Sequence, residues 1–259
     1  MKFLKFCLIF CLLISIFSTS ASAYEKNERI NWFFKTKSEN TPPEILGGSD
    51  LPKKYGAIYL GDQSEKTIYL TFDAGYSNEN VDSILDTLKK HQIQGAFFIL
   101  PGIIKNSPET VKRMADEGHL ICNHSTTHGD MSRISDVNKF KKELNGVEEL
   151  YRQTFGLEME KFFRPPQGVF SVNTLEFCKE LGYTPVFWSF AYVDWEDDKQ
   201  PDTEKAKNKI LSCAHNGMVM LLHPTSKTNA LVFDEVITEL KSSGYNFGSL
   251  NELAEKQSQ

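Results

Sequence analysis

The sequence predicts an α/β barrel, on three observations. Seven short apolar runs alternate with stretches of helical period, many of those stretches begin with a capping residue and end in glycine, and polar residues gather where the apolar runs stop. Strands alternating with helices give a largely parallel sheet with helices outside it. An open doubly wound sheet collects polar groups at one crevice, whereas a closed ring brings every strand end to a common mouth. No Gly-x-Gly-x-x-Gly turn follows a strand, so a dinucleotide fold has no support.

In chain order, the first residues read MKFLKFCLIFCLLISIFSTSASAYEK. Two lysines, an apolar run from Phe6 to Phe17 and the small-x-small site Ala21-Ser22-Ala23 form the three-part pattern of a secretory signal. Residues 1–23 are therefore expected to be removed, with Tyr24 as the new start and an uncleaved anchor as the alternative. The run is short for a hydrocarbon core about 30 Å thick, and no later segment is long enough to span one. The mature form is expected to be exported, with no integral membrane domain. Residues 24–62 read as an irregular N-terminal extension that Trp32, Phe33 and Phe34 pack onto the barrel, with turns at Pro42-Pro43 and Gly47-Gly48.

The domain proper is expected over 63–255. Strands are predicted at 66–72, 95–100, 119–123, 161–165, 184–190, 217–222 and 245–249. Helices are predicted at 78–91, 107–118, 136–156, 171–182, 203–217 and 231–244. The 259-residue chain has a formal net charge of -5 with both signs interspersed, and no basic stripe exists to hold a nucleic acid. Loss of the leader removes Cys7 and Cys11. Cys122, Cys178 and Cys213 remain, an odd and sparse set that reads as buried thiols rather than a disulfide framework.

Several polar residues carry candidate chemistry. Asp73, in TFDAG, is a general base at the barrel mouth or an Asx-turn or helix N-cap carboxylate. His124 and His128, in NHSTTHGD, share a face if the segment turns helically and then suit one metal ion, a weak signal from spacing alone; Asp130 is a spare oxygen ligand nearby. Arg164, in RPPQG, clamps a substrate oxygen or a catalytic carboxylate, or forms a plain surface ion pair. Asp194 is placed to orient a histidine, and Trp195 offers a flat apolar face for a sugar. Trp188 is expected in the core. His223 follows MVMLL and precedes Pro224; it delivers a proton to a leaving amine or caps a sheet edge. His91, His119 and His215 read as solvated or capping groups.

The ordered set TFDAG, HSTTH, RPPQG, VDW and LLH resembles the successive motifs of the NodB-type polysaccharide deacetylases, carbohydrate esterase family 4, from about Thr67 to Leu250. Within that family the INWFFK arm, the KTIYLTFDAGY opening and FWSFAYVDW look most like sporulation enzymes that deacetylate N-acetylmuramic acid on the way to the muramic δ-lactam of spore cortex. The resemblance implies a distorted (β/α) barrel, the NodB homology domain, that hydrolyses an N-acetyl group on a cell-wall sugar. It implies Asp73 as base, Arg164 as the residue positioning it, His223 as acid and Asp194 as its support. It also implies metal binding by His124 and His128, and substrate binding by Gly75, Pro166, Trp195 and Leu222. The implied partner is a cell-wall glycan with peptide-stripped muramic acid, in the wall or cortex space of a Gram-positive-like spore former.

Ala74 departs from the family pattern, TFDDG, whose second aspartate completes an Asp-His-His metal set. A divalent ion, zinc or another first-row metal, then rests on two histidines with water and substrate, gains a neighbouring carboxylate such as Asp130, or is dispensable. Rival readings are a deacetylase of N-acetylglucosamine or chitin, an esterase for xylan O-acetyl groups, and a catalytically silent wall-glycan binder.

Overall fold

The strands of the sheet and the helices around it are set by side-chain alternation. The computed structural model describes residues 24–37, 40–48 and 50–257, so the leader at 1–23 lies outside the described residues. In order these form β1 (Ile30–Asn31), β2 (Phe34–Lys35), β3 (Glu44–Ile45), α1 (Asp50–Lys54), β4 (Thr67–Ala74), α2 (Glu79–His91), β5 (Ala96–Ile99), α3 (Pro101–Asn106) and α4 (Pro108–Asp116). Then follow β6 (Leu120–Asn123), α5 (Val137–Phe155), β7 (Glu160–Phe163), β8 (Val169–Phe170), α6 (Val172–Glu180), β9 (Thr184–Pro185), α7 (Thr203–Ser212), β10 (Met218–Leu222), α8 (Lys227–Ser242), β11 (Asn246–Gly248) and α9 (Leu250–Gln257).

A parallel sheet runs in the order β10-β4-β5-β6-β7-β9, with β11 joined to the first residues of β4. It curls on itself. The apolar run 184–190, expected as one strand, is broken: it starts beside β7, bridges Ile58 at Val186 and reaches β10 at Phe190, whose carbonyl accepts from Leu221 N–H at 2.9 Å. That second contact brings the two ends of the sheet together as a distorted barrel.

Because successive strand residues face opposite ways, β4 sorts its side chains into two layers. Ile68, Leu70, Phe72 and Ala74 join the cluster under the helices, and Tyr69 joins the inner cluster with Ala96, Phe98 and Cys122. Helix α2 answers with Val81, Ile84, Leu85 and Leu88, an i, i+3, i+4, i+7 stripe. Each such side chain contributes about 1.5–3 kcal/mol when fully buried. Asn78 caps the start of this helix, accepting from Asn80 N–H at 3.1 Å. Helix α8 begins four residues ahead of the apolar pattern, because Ser226 caps it. Helices α3 and α9 were outside the sequence expectation; α3 is short and opens on Pro101.

The N-terminal extension is seated by β1 pairing antiparallel with β8, and by Trp32, which stacks on Phe187 at 4.6 Å and donates its Nε1–H to the Trp188 carbonyl at 2.8 Å. The glycine of RPPQG makes this possible. Gly168 has φ +67, and a Cβ there would lie 2.7 Å from the Trp188 ring and 3.0 Å from the Cβ of Trp32.

Cys122, Cys178 and Cys213 are free and buried. His119 and His215 are buried rather than solvated: His119 Nδ1 accepts from Gly95 N–H at 3.1 Å, and His215 meets Ser189 Oγ at 2.9 Å. Burial pushes His119 down to about 4. Among the described residues no helix is long and apolar enough to cross a membrane.

Candidate active site

The carboxyl ends of β4, β6 and β10 and the segment after β9 border one cleft of about 870 Å³, whose lining includes Asp73, Gly75, His124, His128, Trp195 and His223. Asp73 is the penultimate residue of β4, still in the strand, so it caps no helix. Arg164 follows β7 and is fully buried, its guanidinium 4.1 Å from the Phe98 ring centroid. Its Nη1 donates to Asp73 Oδ1 at 2.6 Å, its Nη2 to Thr71 Oγ1 at 2.7 Å and its Nε to the Val186 carbonyl at 3.3 Å. Thr71 in turn donates to the Met220 carbonyl at 2.7 Å. Burial alone would push the Asp73 carboxyl up, but the charge and hydrogen bond of Arg164, with the charge of His223 adding, outweigh it and hold the group below the usual carboxylate range. Asp73 is thus an ionised carboxylate in one fixed rotamer.

A second pair is built at the end of β10. His223 Nδ1 donates to Asp194 Oδ1 at 2.7 Å, while His223 N–H and Asn229 Nδ2 donate to Asp194 Oδ2 at 2.8 and 2.7 Å. Asn229 also donates to the His223 carbonyl at 3.1 Å and accepts from the Tyr192 hydroxyl. Burial disfavours the imidazolium of His223, yet the hydrogen bond and charge of Asp194, with Asp73 adding, raise its pKa above the ordinary value. Trp195, half exposed, sets its ring 5.5 Å from that of His223. Within one cleft, then, a carboxylate is kept charged and an imidazole is kept protonatable.

His124 and His128 come together, with ring centroids 5.0 Å apart, but not through the helical turn expected. The segment is a loop in which Ser125 and His128 both adopt left-handed backbone, at φ +73 and +55. Asn123 Oδ1 accepts from Ser125 N–H at 2.9 Å, and Ser125 Oγ accepts from His128 N–H at 2.9 Å. Glu143, on α5, clamps the loop by accepting from Thr126 and Thr127 N–H at 3.3 and 3.0 Å. Nothing local in the sequence marks Glu143, which lies a helix turn or more inside α5. Asn229 is hidden likewise, since Ser226-x-x-Asn229 reads as ordinary helix capping.

The donor set suits a cation in part. His124 Nδ1 donates to the Arg164 carbonyl at 2.9 Å, which leaves Nε2 with its lone pair facing Asp73 Oδ2 at 3.5 Å. Such buttressing is what orients a metal-ligating histidine. Burial pushes His124 down to about 4 and lowers His128, so both are neutral near pH 7. The third donor is missing: Ala74 is fully buried in the helix-facing apolar cluster. Asp130 does not replace it. Its Oδ1 accepts from Ser132 at 2.6 and 3.1 Å, and its Oδ2 lies 3.1 Å from Arg29 Nε. Among the described residues, no group of three His, Cys, Asp or Glu is placed to hold one ion.

Three further expectations shift by a residue or a layer. Leu222 has the parity of Met218 and Met220 and packs under the helices, so Leu221 lines the cleft instead. Pro166 is buried, and Gln167 takes the lining position. Trp188, expected in the core, borders the cleft.

Residues 60–186 match the polysaccharide deacetylase family. The chain is 42% identical over 250 residues to the peptidoglycan-N-acetylmuramic acid deacetylase PdaA of Bacillus subtilis, covering 95% of this chain and 94% of that protein. The solved structure of Bacillus subtilis PdaA, a family 4 carbohydrate esterase, superposes with a TM-score of 0.85 at 42% identity over 89% of this chain and 99% of that one. A family 4 carbohydrate esterase from Bacillus anthracis superposes with a TM-score of 0.73 at 39% identity, over 90% of this chain and 99% of that one. The family match spans Asp73, His124, His128 and Arg164, and the longer alignments take in Asp194 and His223: the chain belongs to the polysaccharide deacetylase family, as a hydrolase of carbon–nitrogen bonds.

Proposed function

We propose that this protein removes the N-acetyl group of N-acetylmuramic acid in peptidoglycan, on the exported side of the membrane, as a step toward the muramic δ-lactam of spore cortex. The observation that carries the reading is the pair of fixed assemblies, Asp73–Arg164 and His223–Asp194, bordering one cleft. The similarity to PdaA supports muramic acid as the sugar. A silent glycan-binding role draws on Ala74 and leaves both assemblies without a use.

The reaction follows from the two assemblies. A water beside Asp73 gives its proton to the carboxylate as its oxygen bonds to the acetamide carbon. Arg164 keeps the carboxylate aimed and ionised before this step. As the tetrahedral species collapses, the C–N bond breaks and the imidazolium of His223 gives a proton to the departing amine. Asp194 holds Nδ1–H, so Nε2 is the nitrogen that exchanges the proton. Acetate and a free amino sugar result. A divalent ion, zinc or another first-row metal, would be held by His124 and His128 with solvent or substrate completing its shell, and would supply a Lewis acid.

Mass analysis of peptide-free and peptide-bearing glycan strands tests the substrate. Acetyl loss from the muramic residues of peptide-free strands is expected; loss only from glucosamine residues, or none, overturns the assignment. The pH profile tests the acid. Activity falls as pH rises through the raised pKa of His223, and Asp194→Asn removes what lifts it, so the alkaline limb moves to lower pH. A limb that stays in place or moves up contradicts the role. Equilibrium dialysis against zinc tests the histidines: uptake by the native chain is expected, with loss in His124→Ala, and equal uptake by both would remove the pair from metal binding.

A further inference from the structure

The aromatic arm at the start of the described chain packs beside the chemistry. Trp32, Phe33 and Phe34 all line the catalytic cleft. The arm precedes residue 60, where the family match begins. We propose that the hairpin containing β2 and β3 is a substrate-recognition element, whose exposed Phe33 carries a second sugar ring of the glycan strand beside the ring that presents its acetamide to Asp73 and His223. This deepens the functional reading above and rests on it.

Phe33 is held in place without being covered. Its ring-bearing residue is 58% exposed, although its carbonyl accepts from Leu46 and Gly47 N–H at 2.9 and 3.3 Å and its neighbour Phe34 pairs with Ile45. On the other side, Trp32 N–H donates to the Gly168 carbonyl at 2.8 Å. A fixed backbone under an uncovered aromatic ring is the arrangement of a contact surface. Single exposed apolar residues are ordinary on any protein. Here, however, eight large apolar residues are exposed among the described residues, and four of them, Phe33, Tyr76, Val193 and Trp195, line this one cleft. Such clustering marks a binding surface.

The chemistry of the lining selects the occupant. No lysine or arginine is among the cleft-lining residues, whereas aromatic rings recur along it. Flat aromatic faces suit the C–H faces of pyranose rings. A volume of about 870 Å³ lies near the top of the range for ligand pockets, ~300–1,000 Å³, and is roomier than one sugar ring requires. The arm's aromatic wall therefore favours a strand over a short fragment.

Acetate release from long peptide-free strands and from the N-acetylmuramic acid monosaccharide, measured as kcat and KM, tests this. Phe33→Ala is expected to lower the preference for strands over the monosaccharide about tenfold, through KM, and Phe33→Trp to retain it. Phe33→Leu, which keeps an apolar side chain without a flat face, is expected to behave like Phe33→Ala and serves if that variant does not fold. Native strand preference in the alanine or leucine variant overturns the proposal. If acetate comes from glucosamine residues, the muramic assignment fails, while the length preference still reports on Phe33.

Discussion

The buried ion pair between Arg164 and Asp73 is the contact on which the site depends. A guanidinium with no exposed surface is strongly destabilising unless it is countered, and breaking such a pair costs roughly 3–5 kcal/mol. Here each nitrogen of the fork has an acceptor, and the acceptors come from β4 and from the segment that closes the sheet. Thr71 passes the linkage on to β10. One set of hydrogen bonds thus ties β4, β10 and the closing segment together and aims the proposed base.

His223 and Asp73 are tuned in opposite senses by the same kind of means. Burial acts against the charged form of both, and in each case an opposite charge within hydrogen-bond distance overcomes it. The result is a carboxylate available to take a proton and an imidazole able to give one at the same pH. Asn229 and Tyr192 extend the second assembly, fixing Asp194 so that one oxygen meets Nδ1 of His223 and the other its backbone.

Much of this was legible in the sequence because strands with two buried faces are short apolar runs, and because barrel strands end at one mouth. Asp73, Arg164, Asp194 and His223 each stand just past or near the end of such a run. Features that depend on backbone handedness or on distant partners were not legible. The HSTTH loop relies on left-handed Ser125 and His128 and on Glu143 from another helix. The run 184–190 looks uniform but changes partners midway, which no local pattern encodes. Leu222 was one residue off because strand parity decides which leucine faces the cleft. Ala74 lies in the helix-facing apolar cluster, where a methyl is well accommodated.

The central claim is that Asp73, held ionised by Arg164, takes the proton of the attacking water. Asp73→Asn keeps an acceptor for Arg164 and the shape of the side chain while removing the basic oxygen, so it separates chemistry from architecture. With fold and melting checked by circular dichroism, acetate release from peptide-free strands is expected to fall by about 10²–10⁴-fold. Release within a few-fold of the native rate from a folded Asp73→Asn protein would contradict the account.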